Sequence, residues 1–364
     1  MSKELEQVYK VVKQVEVVED LFGELSSETV ESKRDELAGI YRQLAKLLHP
    51  DRYPIDTFQH KLAAEIFPKV TLFYNRAKLK LEKGTYGERV VEDETEEIDF
   101  VVETKRACYH LRSTIAQGDL STLYAGDYTN EQGEVVKIVA KVIADPEDND
   151  LALNEARILR LLNQESSPYS KHLPKLIDQF KTSEGQMANI ISYLDGYDLY
   201  SVRDRYREGV AEKHMVWMLS RLLSVLGYAH SKGILHANIE PAHLMIRPSD
   251  HNLFLIDWSY AVRKGEKFKV YNEDYSAPEV VQKKPPIPAS DLYSVGKSMI
   301  FLLGGEVKTN SMPKKIEEKL KRLILFFVRE SPLQRAQDAW EMYHYLRQLV
   351  VELWGERKFL KFEM

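Results

Sequence analysis

Apolar residues return every three or four positions through the first eighty residues of the chain. Leu37, Ile40, Tyr41, Leu44 and Leu48 fall on one helical face, the spacing an amphipathic helix needs. The stretch His49-Pro50-Asp51-Arg52-Tyr53-Pro54 ends that helix, because proline lacks an amide hydrogen and clashes with the preceding turn. A second run follows with Phe67, Val70, Tyr74 and Ala77 on one face. Pro68 lies inside it and predicts a kink or a fresh helix start. Two antiparallel helices joined by a proline-containing loop is the simplest arrangement. Gly84 and Gly87 close the unit, and the acidic run Glu92-Asp93-Glu94-Thr95-Glu96-Glu97 reads as a linker, since like charges without an apolar face do not pack.

From about residue 104 the period shortens. Glycines at 118, 126 and 133 punctuate strand-like runs, and Val135–Ile143 reads as a buried strand. A helix is predicted over 151–162. Past residue 196 the pattern is mostly helical, with segments near 213–231, 290–303, 315–329 and 335–352. The predicted organisation is a helical unit over 1–88, a linker over 89–103, a strand-rich lobe over 104–194 and a helical lobe over 195–364. The fold class is therefore α+β and multidomain.

Composition narrows the function classes. The chain has 364 residues, 44% hydrophobic and 29% charged, with a net charge of −5, which suits a globular protein and offers no basic field for nucleic acid. Cys108 is the only cysteine, so an internal disulfide and a zinc site built on several thiolates are both excluded. The apolar runs at 299–303 and 323–328 fall far short of the roughly 20 residues a membrane span needs. The charged N-terminus lacks the apolar core of a signal peptide. These features predict a cytoplasmic protein without membrane or nucleic-acid partners.

The string Tyr41-Arg42-Gln43-Leu44-Ala45-Lys46-Leu47-Leu48-His49-Pro50-Asp51, followed by Phe67, Val70 and Tyr74, resembles the second helix, loop and third helix of J-domains. Arg42, Lys46 and Arg52 present positive charge suited to an acidic partner surface. The resemblance implies that this partner is a DnaK-type heat-shock chaperone, whose ATP hydrolysis His49, Pro50 and Asp51 would stimulate.

A second resemblance covers about 250 residues. Lys141 ends a predicted strand and Glu155 lies in the next helix. His236-Ala237-Asn238, Leu255-Ile256-Asp257-Trp258-Ser259, Ala277-Pro278-Glu279, Asp291-Leu292-Tyr293 and Arg335 then follow in order. Together these resemble the landmarks of the protein-kinase fold, a β-rich small lobe followed by an α-helical large lobe. The resemblance assigns Gly118, Lys141, Glu155 and Asp257 to nucleotide binding, with Asp257 facing Mg²⁺. It gives Glu279, Asp291 and Arg335 structural roles, the first pairing with the third, and joins Trp258, Leu159 and His236 in an internal spine.

The same alignment exposes departures. The position that accepts the substrate's hydroxyl proton is Asn238, an amide that has no basic group at neutral pH, and losing a positioned base costs about 10²–10⁴-fold in rate. Glu240 stands where the family has a lysine that meets the γ-phosphate. His243 stands where an asparagine holds the second metal, and imidazole suits Mg²⁺ poorly. The glycine-rich loop keeps only Gly118. No catalytic residue is expected in this loop. ATP and Mg²⁺ remain the ligands of any retained pocket.

The expected function is a regulatory co-chaperone. Its J-like unit would recruit the chaperone, and a catalytically impaired pseudokinase would bind a client or signalling protein or sense nucleotide. The alternative is an active atypical Ser/Thr kinase, or another nucleotidyl or phosphoryl transferase, using Lys141 and Asp257, because phosphoryl transfer rests largely on positioning and electrostatics.

Overall fold

The computed structural model describes residues 2–48, 52–53, 57–89, 100–118, 120–164, 167–266, 272–355 and 359–364. The chain divides into two compact units, residues 1–144 and 145–364.

The first unit begins with four helices, α1 (Ser2–Gln14), α2 (Val18–Phe22), α3 (Val30–Leu48) and α4 (Phe58–Lys83). The periodicity explains their packing. Helix α3 buries Leu37 and Leu48, which lie three turns apart on one face. Helix α4 buries Ala63, Ile66, Phe67, Val70, Phe73, Ala77 and Leu81. Tyr41 stacks on Tyr74 with ring centroids 4.1 Å apart. Helix α4 runs unbroken through position 68, so no new helix starts at Pro68. An interior proline costs about 3 kcal/mol. The large apolar side chains that α4 buries, such as Phe67, Val70 and Phe73, stabilise by about 1.5–3 kcal/mol each, and hold the helix as one element. Helices α1 and α2 complete the packing with Leu5, Val12, Val18 and Phe22. His49, Pro50, Asp51 and the acidic run 92–97 lie outside the described residues.

Four antiparallel strands follow: β1 (Phe100–Glu103), β2 (Cys108–Gln117), β3 (Ser121–Thr129) and β4 (Val135–Ile143). They pair in sequence order, and β3 and β4 match from Ser121↔Ile143 to Thr129↔Val135. Strand β4 is the run predicted from its apolar residues. Strand β1 occupies the last positions of the segment read as linker. Gly126 is required where β3 crosses β2, since a Cβ there would stand 2.3 Å from the His110 carbonyl oxygen.

The second unit opens with α5 (Asn149–Asn163), the hairpin β5 (Leu176–Lys181) and β6 (Met187–Ser192), and the short β7 (Tyr197–Asp198). Helices α6 (Leu199–Arg205) and α7 (Glu212–Ser231) lead to β8 (Ile234–Leu235), β9 (Leu244–Arg247), β10 (Asn252–Leu255) and β11 (Val262–Arg263). Helices α8 (Pro278–Val281), α9 (Pro288–Leu302), α10 (Glu318–Phe327) and α11 (Ala339–Trp354) complete it. Helix α7 is buried nearly all round, which marks it as the central helix of its core. No helix among the described residues is long and apolar enough to cross a membrane.

Candidate functional site

The loop between β8 and β9 carries His236, Ala237, Asn238, Glu240 and His243. Its backbone is held from α9. Asp291 accepts from the amides of His236 and Ala237, both at 2.9 Å, and from His230 Nε2 at 2.9 Å. Burial alone would raise the Asp291 carboxyl, but the His230 hydrogen bond and these amides outweigh it and hold the carboxyl below its ordinary value. The anchor matters because Ala237 sits at φ +65°, a left-handed conformation costing a residue with a Cβ about 1–2 kcal/mol.

His236 is fully buried. Its Nε2–H donates to the Ile256 carbonyl, its Nδ1 accepts from the Asn238 amide, and its ring packs edge-on to Trp258 at 4.7 Å. Burial pushes its pKa down to about 4, so the ring is neutral. Trp258 and Leu159 share the same buried core. The three residues read as an internal spine are therefore packed in one core.

The degenerate positions form a connected group. His243 Nδ1 lies 2.7 Å from the Asn238 carbonyl oxygen. A carbonyl only accepts, so Nδ1 carries the hydrogen. That orientation turns Nε2 toward Asp257 Oδ2 at 3.4 Å and Glu240 Oε1 at 3.7 Å. The other Glu240 oxygen accepts from Asn272 Nδ2. Asp257 is itself left-handed, at φ +58°, a conformation that aspartate tolerates better than most residues. Mg²⁺ prefers hard oxygen ligands, and a carboxylate beside an imidazole is a poor donor set for it. Among the described residues no group of three or more His, Cys, Asp or Glu is arranged to hold a metal ion.

The retained positions are placed within their own units. Lys141 is buried on β4 and Gly118 closes the β2–β3 turn, where its amide donates to the Ser121 carbonyl. A Cβ at Gly118 would meet nothing closer than 3.9 Å, so packing does not demand glycine there. Glu155, 1% exposed on α5, accepts from Asn189 Nδ2 at 3.1 Å and from the Trp258 amide at 3.3 Å. Its neighbour Asn154 donates to the carbonyls of Ser259 and Ala261, both at 2.8 Å. Helix α5 is thus stapled to the segment that follows Asp257. Asn154, Asn189 and Asn272 were not singled out from sequence. Asn189, a polar residue inside the apolar strand Met187–Ser192, was the available signal.

Glu279 and Arg335 meet as a buried bidentate pair at 2.8 and 3.1 Å. The buried Tyr275 hydroxyl bonds that of Tyr200, and burial pushes Tyr200 up to about 12. In the helical unit, Arg42 and Lys46 are exposed one turn apart on α3 and Arg52 is exposed beyond it.

The protein kinase domain family model matches residues 109–356, more than half of the chain. Serine/threonine-protein kinase D of Synechocystis sp. is 27% identical over 220 residues, 54% of this chain and 41% of that protein. A probable casein kinase II subunit alpha homolog of Encephalitozoon cuniculi is 27% identical over 194 residues, 52% of this chain and 56% of that protein. Calcium/calmodulin-dependent protein kinase type 1 of Caenorhabditis elegans is 24% identical over 213 residues, 56% of this chain and 58% of that protein. The chain spans less than two thirds of the length of each. With these matches and the ordered loop, anchor and buried Glu279–Arg335 pair, the chain belongs to the protein kinase domain family.

Proposed function

We propose that this chain is a regulatory adaptor whose kinase fold does not transfer phosphate, and whose N-terminal helices recruit a DnaK-type chaperone. One observation carries the loss of chemistry. Asn238 stands in the proton-accepting position, and its carbonyl is tied to His243 while Glu240 is tied to Asn272. Neither the amide nor the carboxylate engaged across the loop supplies a base aimed at a substrate hydroxyl. The chaperone half rests on His49-Pro50-Asp51 after a helix with exposed Arg42 and Lys46. The client is a protein bound by the kinase fold, and nucleotide is a ligand it senses.

A second reading is favoured by the fixed Glu155 and the retained Lys141 and Asp257, and by relatives named serine/threonine kinases. In it the chain transfers phosphate slowly through positioning alone.

Two assays on the full chain separate these readings. Labelled ATP should leave no label on any protein, and the chain should raise a DnaK-type chaperone's ATPase rate while His49→Gln does not. Label incorporation abolished by Asp257→Asn would establish the transferase instead. An ATPase rate indifferent to the chain would remove the chaperone role.

A further inference from the structure

We propose that the second unit holds a binding pocket for an aromatic monoanion, an aryl carboxylate or sulfonate, between α7, α11, the β9–β10 turn and residues 359–360. The pocket has a volume of about 460 Å³, within the range of small-molecule sites. Its described lining residues include neither Asp257 nor any residue of the loop between β8 and β9. Such a site is independent of whether phosphate is transferred or a chaperone binds.

Charge selects an anion. Lys213, Trp217 and Arg221 recur at every fourth position of α7 and all line the pocket, so they form one stripe about two turns long. Lys213 Nζ lies over the Trp354 ring, 5.5 Å from its centroid. Arg221 donates through Nε to the His251 carbonyl at 3.2 Å. Neither cation forms an ion pair among the described residues. Asp250, the one carboxylate among the described lining residues, is taken by Arg247 through bonds of 3.0 and 2.7 Å. The wall is thus cationic in a chain whose net charge is −5, and a negatively charged ligand complements it.

Ring geometry selects an aryl group. Helices α7 and α11 run antiparallel: Gly227 abuts Trp340, where a Cβ would stand 2.6 Å from the indole, and Lys213 reaches Trp354. The pocket lies at the second of these ends, with one indole from each helix, Trp217 and Trp354, in its walls. His251 stacks on both Trp217 and Phe359, at centroid distances of 4.4 and 4.1 Å and interplanar angles of 5° and 20°. Its backbone is left-handed, at φ +52°, a conformation that persists only where the surroundings impose it. The Arg221 bond to its carbonyl and the two ring stacks do so here. Flat, polarisable walls favour an aryl ring over an alkyl chain of equal size, because aromatic pairs gain beyond the apolar area they bury.

The test is equilibrium dialysis of naphthoate against the full chain, with displacement of anilinonaphthalene sulfonate fluorescence recorded alongside. Naphthoate should occupy one site per chain. Decanoate, which lacks rings, and naphthyl methanol, which lacks charge, should each bind at least about threefold more weakly. Arg221→Gln should lose about tenfold or more of the naphthoate affinity, as expected for a hydrogen bond to a charged group. Circular dichroism shows whether that variant is folded. If it is not, the exposed Lys213→Gln carries the comparison and should lose about threefold. Absence of saturable binding would overturn the proposal, as would naphthoate binding that both variants leave unchanged. Decanoate binding as tightly as naphthoate would overturn the aryl selection, and naphthyl methanol doing so would overturn the anionic one. Label transfer from ATP and chaperone stimulation are measured separately, so failure here leaves the adaptor reading standing or falling on its own assays.

Discussion

Asn272 donates through its side-chain nitrogen to Glu240, joining the segment that leads into α8 to the loop before β9. Asn272 also organises its own segment. Its amide donates to Ser276 Oγ and its Oδ1 accepts from the Asp274 amide, both at 2.9 Å. Glu240 is thus a structural latch between these two segments. Glu240→Lys removes the acceptor and should cost about 1–3 kcal/mol of local stability, as expected for a hydrogen bond to a charged group. Amides of residues 272–276 should then exchange faster, with those of α7 unchanged. Unaltered exchange at 272–276 would mean that Ser276 alone holds the segment.

The Glu279–Arg335 pair should be far less forgiving. Arg335 is 1% exposed and also donates to the carbonyls of Ala289, Arg329 and Glu330. Arg335→Met leaves a buried carboxylate without its partner, a change that costs about 3–5 kcal/mol. Burial would raise the Glu279 carboxyl, but Arg335 and Ser290 outweigh it and hold it below its ordinary value. A carboxyl depressed in the folded state contributes stability above its unfolded pKa, and that contribution is lost as pH falls through the folded value. Denaturant midpoints between pH 5 and 3 should therefore fall in wild type. They should fall less in Glu279→Gln, which starts lower.

Two buried histidines set a milder acid limit. His172 donates through Nδ1 to the Leu253 carbonyl at 2.9 Å, and burial pushes its pKa down to about 4, as it does for His236. For each, the unfolded chain takes up a proton near pH 6.5 and the folded chain does not until about pH 4. Stability is fully present above 6.5 and falls as pH drops through that window. Unfolding midpoints should decline from pH 6.5 downward, and His172→Gln, which does not titrate, should flatten the slope. An identical slope in the variant would remove His172 as a cause.

Much of this architecture was legible because its signals are local. Strand β4 and helices α5, α7, α9 and α11 follow from runs of apolar residues at strand or helix period. The landmark residues, from His236 to Arg335, stand in a recognisable order along the chain. What was not legible depends on partners distant in sequence. Nothing beside Glu240 names Asn272, and nothing beside Asn154 names the carbonyls of Ser259 and Ala261. Side-chain to backbone bonds of this kind leave no periodic trace. No new helix starts at Pro68 because a propensity rule, sound for an isolated helix, met a helix held on both sides of the proline by buried side chains. Strand β1 was hidden for the same reason in reverse: four residues beside an acidic run carry too short a pattern to read, and their order comes from pairing with β2.

The helical unit offers a test of how buried charge is tolerated. Lys80 Nζ lies 2.7 Å from Glu19 Oε1, which also accepts from the Gly87 amide, and both side chains are under a tenth exposed. Burial works against the Glu19 carboxylate, but Lys80 and Gly87 outweigh it and hold the carboxyl below its ordinary value. Its other oxygen, Oε2, is buried without a hydrogen-bond partner, so the pair is incompletely solvated by the protein. An ion pair of this sort is costly to break from one side and cheap to replace whole. Lys80→Met should therefore cost about 3–5 kcal/mol, because it strands the carboxylate. Adding Glu19→Leu in the same chain should recover most of that loss, since two apolar side chains then meet in the same space. Hydrogen exchange of α4 amides reads the effect locally, within the first of the two units. A double variant as unstable as Lys80→Met would show that the Gly87 contact, rather than the ion pair, is what holds α2 against the end of α4.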